Sequence, residues 1–502
     1  MSGLTVTKAI VVGGGIAGMC AAQVLAEHVD EVVLLERDQY PKGSDHRRGV
    51  PQSKMFHTLL ERGRRDIEAI FPGFHQLLES RKLPKISFGF NCALMTPRGW
   101  GRNVPVPVQR SLFCTRGFLE SAMRDLFAAD PRIKLIEQAT ATGLLWQTCA
   151  NGQVCTGIRY KLKGNDKTLE LTGSLIVDAT GANSRARQWL QAINIDPPRE
   201  HRLDPLLTYG GQLFKLKPNA KFPKHWWWTH GAFIQRVPPT DNAAAHLIRQ
   251  EGDLWLLTMV AGDGDQLPKD EAGIDAFLSR MRSPLIHDML PYFQPVGDLT
   301  SYRLPKNCWK YYEEWHETLH GFIAIGASTC VFNPNQGQGM SVAAGDAGIL
   351  RNCLAETIAP EKLPKLFFHE QAKFQRNAYQ LACSNDLKFT SVQGPRSTST
   401  RWFNWYRDAI TAAGAADPWV ARNVAEVDLL LEPISKIYQP WFMLRTLLAY
   451  LFLGWRQRPS AKDRVAPQPP GPATFPRRLR NTVRQSLSMA VRFVAYRLRL
   501  TR

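Results

Sequence analysis

The sequence predicts an α/β protein: a nucleotide-binding unit built from separated segments, a β-sheet domain inserted between them, and a helical region toward the C-terminal end. Three observations predict it. A strand, glycine turn, helix and second strand open the chain, and a further glycine-rich turn follows an apolar strand more than three hundred residues later. Between them, from about 200 to 300, run several short strand-like stretches.

Composition supports a large folded core. The 502 residues are 44% hydrophobic and 21% charged, which is ordinary globular usage for two or three domains. Nine cysteines, odd in number, scattered and without a CxxC pair, suggest neither a zinc site nor a disulfide framework, and a reducing compartment is expected. The N-terminal stretch lacks the basic region, long apolar run and cleavage site of a signal peptide and reads as the start of a domain. The formal charge of +19 is uneven, since roughly half of it lies from Arg456 onward, where Asp463 is the sole acid.

The opening KAIVVGGGIAGMCAAQVLAEHVDEVVLLERD places Gly13, Gly15 and Gly18 in GxGxxG spacing, with Glu36 closing the second strand. Gly13 permits a tight turn, Gly15 lets the backbone approach a pyrophosphate, and Gly18 lets the helix pack close to the strand. A carboxylate at the end of the second strand faces the crevice where dinucleotides lie, so Glu36 is expected on a ribose. A nicotinamide dehydrogenase usually completes its cofactor domain within the next hundred or so residues. Here the pieces are dispersed: RSLFCTRGFLESAMRDLF starts a helix at Arg116, SLIVDATGANSR ends a strand at Asp178, and GFIAIGASTCVFNPNQGQGM comes last.

That order, with ERD at Glu36, Arg37 and Asp38, RRGVPQ ahead of His57, and EGDLWLLTMVAGDGDQLP, resembles the flavoprotein monooxygenases with the para-hydroxybenzoate hydroxylase fold. Within them it is most similar to the branch containing the polyether epoxidases and related bacterial FAD-dependent oxidoreductases. The likeness covers roughly residues 8–435 and includes SNDLKFTSVQGPR and AADPWVARNVAEVDLLLEP. It implies a Rossmann-like FAD-binding domain in discontinuous segments, 1–200 with a short insert near 80–110 and again 306–380. A β-sheet substrate domain would span 201–305 and a C-terminal helical region 381–457.

The resemblance also implies a FAD site. Gly13, Gly15, Gly18, Glu36 and Arg37 would form its first part, with Arg47 or Arg48 and Gln52 along the flavin side and Arg116 near the pyrophosphate or ribityl chain. Asp178, Gly181 and Gly326 would lie beside the cofactor, and the turn Pro334, Gly337, Gln338, Gly339 and Met340 would present backbone N–H groups. No catalytic side chain and no metal is expected, because a flavin C4a-hydroperoxide would carry epoxidation or hydroxylation. NAD(P)H as a transient donor, or a separate reductase, would supply electrons; dioxygen is the co-substrate. Two departures stand out: Ala327 replaces the branch's usual Asp, and Met55-Phe56-His57 replaces His-x-His. His57, read in an apolar helical stretch, is more simply a core histidine than a catalytic group, and Arg48 is equally readable as a solvated edge.

In the insert, FPKHWWWTH carries Trp226, Trp227 and Trp228. Placed on a strand they would face alternate sides, so that one could line a pocket while another packs in the core or meets a membrane. The WxWxIP pattern of flavin-dependent halogenases is absent. Residues 440–455 are apolar but too short to span a bilayer. A proline-rich linker, 458–476, leads to a basic amphipathic helix, 477–502, with Leu479, Val483, Leu487, Val491, Val494 and Leu498 on one stripe. That pattern suits an anionic membrane surface better than nucleic acid, although docking onto the protein's own body is also open. The expectation is a cytoplasmic, peripherally membrane-associated FAD-dependent monooxygenase of a lipophilic, unsaturated substrate. A prenyl-lipid reductase or dehydrogenase and a non-catalytic flavoprotein binding a lipid or partner are the alternatives.

Overall fold

A computed structural model describes residues 7–454, except 101–110 and short gaps at 89, 98, 129, 150–151, 240, 263, 318, 357–358 and 415–416, together with Pro469. The linker at 458–476, Pro469 apart, and the basic stretch 477–502 therefore lie outside the described residues.

Five parallel strands form the central sheet in the order Phe322–Ala324, Leu175–Asp178, Lys8–Val12, Glu31–Leu35, Ile133–Ile136. Strands buried on both faces need unbroken apolar runs, which residues 9–12, 32–35 and 175–177 provide. Sequence distance is folded away here: the strand leading to the last glycine turn pairs with the one ending at Asp178, which pairs with the first. The helices Ile16–Ala26, Glu61–Ile70 and Gly339–Ala355 pack together over this sheet.

A seven-stranded sheet forms the second layer, in the order Phe293–Arg303, Leu207–Leu216, Leu254–Gly262, Ala244–Arg249, Gly231–Ile234, Cys92–Thr96, Gly99–Trp100. Its last two strands come from the stretch read as an insert near 80–110, so that insert extends this sheet. Alternation sorts the side chains of this sheet. Ala232, Ile234, Ala245, Leu247, Leu257 and Met259 face an outer core with the helices Glu271–Ser279 and Leu285–Met289. Phe233, His246 and Thr258 point the other way, toward the first domain.

The tryptophan run is not a strand. Residues 222–230 form an irregular loop, and Trp226 and Trp228, 9% and 2% exposed, stack at 5.4 Å within the outer core. The core reading of the run holds and the pocket reading does not, because this is the face turned away from the first domain. His57 likewise departs from expectation, lying in a turn between the short helix Pro51–Lys54 and the strand Thr58–Leu59. The helical stretch begins later, at Glu61.

Candidate functional site

The first glycine turn does its work by close approach. A Cβ on Gly13 would stand 2.6 Å from the Ala179 carbonyl oxygen, and its φ of +104° already demands glycine. A Cβ on Gly18 would stand 1.8 Å from the Gly13 carbonyl oxygen, so helix and strand meet without room for a side chain. Gly15 differs, since the nearest atom to a Cβ there is Arg47 Nη2 at 3.8 Å. Space is open at that point, in front of a helix N-terminus with no side-chain cap.

Glu36 closes the second strand. Its carboxylate accepts from the Gly14 N–H at 2.6 Å and the Asp38 N–H at 2.9 Å, and pairs with Arg47 Nη1 at 3.0 Å. Arg47 also donates from Nε to Glu120 at 3.0 Å, and Glu120 receives Arg116 Nε at 2.8 Å. Burial alone would raise the Glu120 carboxyl, but Arg116 and Arg47 outweigh it and hold it below the usual range. Two arginines thus bracket one acid on the Arg116–Phe127 helix.

Of the arginine pair, the buried member is Arg47; Arg48 is exposed. Arg37, also exposed, donates to the Gly49 carbonyl at 2.8 Å and so fixes the loop that carries Arg47. It also borders, with Asp38 and Thr140, a surface recess of about 390 Å³. Gln52 is half-buried on the Pro51–Lys54 turn. Sequence reading missed Tyr40, whose hydroxyl donates to the Gly14 carbonyl at 2.7 Å, and Glu120. A tyrosine four residues beyond the terminal acid carries no pattern of its own.

Asp178 is wholly buried and its carboxylate is spent on protein: Thr180 N–H and hydroxyl, the Ser184 hydroxyl, and Ser328 Oγ at 3.3 Å. Ser328 Oγ in turn accepts from the Gly181 N–H at 2.8 Å. Asp178 is therefore a positioning residue that ties the Gly181 turn to the Gly326–Ser328 turn.

The last turn is anchored from behind. Asp346 accepts from the Gly326 N–H at 2.9 Å, Gln371 at 2.9 Å and Gln375 at 2.6 Å, while burial pushes its carboxyl up to about 7. An acid thus does hold the Gly326 turn, from the helix behind it, and Ala327 stands exposed on the open side. Asn333 Nδ2 donates to Asp386 at 2.6 Å, Gly337 adopts φ +66°, and Gly339 starts a helix whose N-terminus has no side-chain cap. A Cβ on Gly339 or on Gly181 would meet nothing within 4 Å. Pro334 is exposed, Met340 packs in the core, and Gln338 turns its amide away to the Asp428 carbonyl at 3.1 Å. The Gly337 N–H is taken up by the Pro334 carbonyl at 2.7 Å, so the helix start at Gly339 is the open backbone of this turn.

The inner face of the second sheet meets these parts. Tyr209 donates to Asn333 at 3.1 Å, and the Phe56 N–H donates to Thr258 at 2.9 Å. Phe56, Phe88, Phe113 and Phe233 form an aromatic cluster with centroids about 6 Å apart, and His246 stacks on Phe233 at 3.5 Å. Burial lowers the His246 imidazole to about 3; His57 is lowered to about 4, by burial first and by Arg116 second. For His246 the unfolded chain binds the proton below 6.5 and the folded one does not until about 3. Stability is therefore expected to fall by about 1.4 kcal/mol per pH unit as pH drops through that window. His57 adds a slope of the same sign down to about pH 4, so His246→Phe should reduce the slope seen in urea titrations between about pH 7 and about pH 4 without abolishing it; an unchanged slope would assign the acid sensitivity elsewhere.

An uncapped turn of glycines, a buried guanidinium nitrogen of Arg47 without a partner, and a second uncapped helix N-terminus fit the phosphates and ring system of FAD. Gly15, Glu36 and Arg47 would hold the dinucleotide end, and the helix start at Gly339 the other. Among the described residues no group of three or more His, Cys, Asp or Glu could hold a metal ion.

Residues 11–61 match the NAD(P)-binding Rossmann-like domain. The chain is 23% identical over 441 residues to protein Rv3254 of Mycobacterium tuberculosis, covering 84% of this chain and 90% of that one. A flavoprotein/dehydrogenase structure from Cytophaga hutchinsonii superposes with a TM-score of 0.61 at 13% identity, covering 89% and 98% of the two chains. HpxO of Klebsiella pneumoniae, solved as a single-residue variant complexed with FAD, gives 0.57 at 16% identity, covering 85% and 100%. Flavin-dependent halogenases and a p-nitrophenol monooxygenase share this architecture. The chain therefore has the fold of the FAD-dependent monooxygenases and halogenases.

Proposed function

We propose that this protein is a FAD-dependent monooxygenase of a lipophilic, unsaturated substrate, in the cytoplasm and peripheral to a membrane. The observation that carries the reading is the uncapped N-terminus of the Ile16–Ala26 helix, with open space at Gly15 and the unpartnered nitrogen of buried Arg47 facing it. Bound FAD would supply the oxygen-activating chemistry. The chain's own residues would bind and orient: Gly15 and Arg47 the phosphates, Glu36 a ribose, and the helix start at Gly339 the far end. Phe56, Phe113 and Phe233 favour an apolar substrate and exclude water. Electrons would come from NAD(P)H or a separate reductase, and the basic stretch 477–502 would hold the protein to anionic lipid.

The test is dioxygen uptake by the purified flavoprotein with NAD(P)H, paired with mass spectrometry of lipids from cells with and without the protein. A gain of one oxygen in one lipid class supports the reading. Retained FAD without dioxygen uptake would move it to a prenyl-lipid reductase or dehydrogenase, and loss of FAD to a non-catalytic protein.

Ala327 gives a separate test. It stands exposed at the position where the family resemblance implies an acid, so Ala327→Asp is expected to tighten FAD about tenfold by adding an anionic acceptor. Weaker retention in the variant, measured by FAD dissociation, would mean the pocket is shaped around alanine.

A further inference from the structure

Of the seven large apolar side chains exposed among the described residues, five lie on the C-terminal helices: Trp402, Trp405, Trp441, Leu444 and Leu451. Their placement is periodic. Along the helix Pro440–Ala449 and the turn that continues it, Trp441, Leu444, Leu448 and Leu451 follow at spacings of three, four and three, which puts them on one stripe. Trp441, Leu444 and Leu451 are 52%, 60% and 58% exposed, while Phe442, Thr446 and Ala449 on the opposite side are buried. The helix therefore has two apolar faces, and the core covers one. Trp405 of the neighbouring helix Thr398–Gly414 extends the outer face, its ring 6.4 Å from Tyr450.

Charge decides among the occupants. All six acids from 381 to 454 are already ion-paired: Asp386 with Arg236, Asp408 with Lys388, Asp417 with Arg445, Asp428 with Arg407, and Glu426 and Glu432 with Lys436. Within that region no unpaired carboxylate remains beside the stripe to receive the arginines of the chain's own 477–502 segment. A face rich in tryptophan and leucine, joined in sequence to a stretch whose one acid is Asp463, matches a surface that is apolar below and anionic above. No helix among the described residues is long and apolar enough to cross a membrane, so the contact would be one of lying in the surface.

We propose that the outer face of the Pro440–Ala449 helix, with Trp405, inserts into the interfacial layer of an anionic lipid bilayer. The proposal rests on the membrane-peripheral reading above and adds the folded body itself as an anchor. It also gives a role to the body that salt does not remove, because burial of apolar side chains is insensitive to screening whereas attraction of the basic stretch is not.

The test uses the full-length protein and vesicles of phosphatidylcholine alone or mixed with phosphatidylglycerol, at low and high salt. Wild type is expected to sediment with the mixed vesicles at low salt and to keep a measurable fraction at high salt. Leu444→Asp with Leu451→Asp should cut the high-salt fraction at least about tenfold, since each charge would enter the layer the leucines occupy. Both positions are solvent-exposed, and the far-UV spectrum and thermal midpoint report that the variant is folded. A milder pair, Leu444→Asn with Leu451→Asn, should give an intermediate loss. Partition of the Asp variant equal to wild type at both salts would overturn the proposal in favour of the basic stretch alone. A wild-type dimer that the Asp variant dissociates, without any change in vesicle binding, would overturn it in favour of a second copy. Dioxygen uptake tests the monooxygenase reading alone, so the two can fail separately.

Discussion

Gly15→Val is expected to yield a folded protein without bound FAD, while Gly18→Ala is expected to damage the fold itself. The two glycines belong to one turn and have opposite surroundings. A Cβ at Gly15 meets no atom closer than 3.8 Å, so the apo chain can accept a side chain there, but that side chain would fill the space a pyrophosphate needs. A Cβ at Gly18 would overlap the Gly13 carbonyl at 1.8 Å, and backbone cannot swing aside as a side chain can. Loss of at least about 3 kcal/mol of FAD binding, more than about a hundredfold, is the expected size of the Gly15 effect. The measurements are flavin absorbance after purification and thermal unfolding of each variant. Wild-type FAD content in Gly15→Val would remove the dinucleotide reading; an unfolded Gly15→Val would show that the open space is needed by the protein.

Arg47→Ala is expected to cost about 3–5 kcal/mol of stability, because it leaves Glu36 and Glu120 buried without the cation between them. Glu36 keeps its two backbone N–H donors and Glu120 keeps Arg116, so the loss should fall short of unfolding the chain. Raising the pH should deepen the defect, since Glu120 lies below the usual carboxyl range only by virtue of Arg116 and Arg47. In the variant it would hold a proton more readily at low pH and be an under-compensated buried charge at high pH. Arg48→Ala is the control: its side chain is exposed, and a change within about 0.5 kcal/mol is expected. Chemical unfolding of the pair separates them. Equal losses would mean the Arg47 bridges contribute nothing.

Local sequence carried the parts of the site whose role is backbone. Glycine spacing and an acid at a strand's end mark a phosphate turn without reference to anything distant, and Gly13, Gly18 and Glu36 occupy the places that pattern requires. Side-chain roles were less legible. Arg47 and Arg48 are adjacent and identical, and only the Gly49 loop, pinned by Arg37 and by Asp38 at 2.8 Å, turns one inward and the other to solvent. The side chains of Asp178 and Gln338 reach the Ser328 hydroxyl and the Asp428 carbonyl, partners that lie far from them in sequence.

The sequence by itself determined the parallel core strands, the two glycine turns and the alternating strands of the second sheet, because each depends on periodicity or on a backbone that admits no Cβ. Tertiary structure alone decided which arginine is buried, that Asp346 holds the Gly326 turn from a helix twenty residues on, and which face of the sheet the tryptophans cover. It also decided that the Pro440–Ala449 helix keeps an apolar face in water. The physical reason is common to all four: burial and pairing depend on partners brought from far along the chain, and a residue's own neighbours do not state what those partners will be.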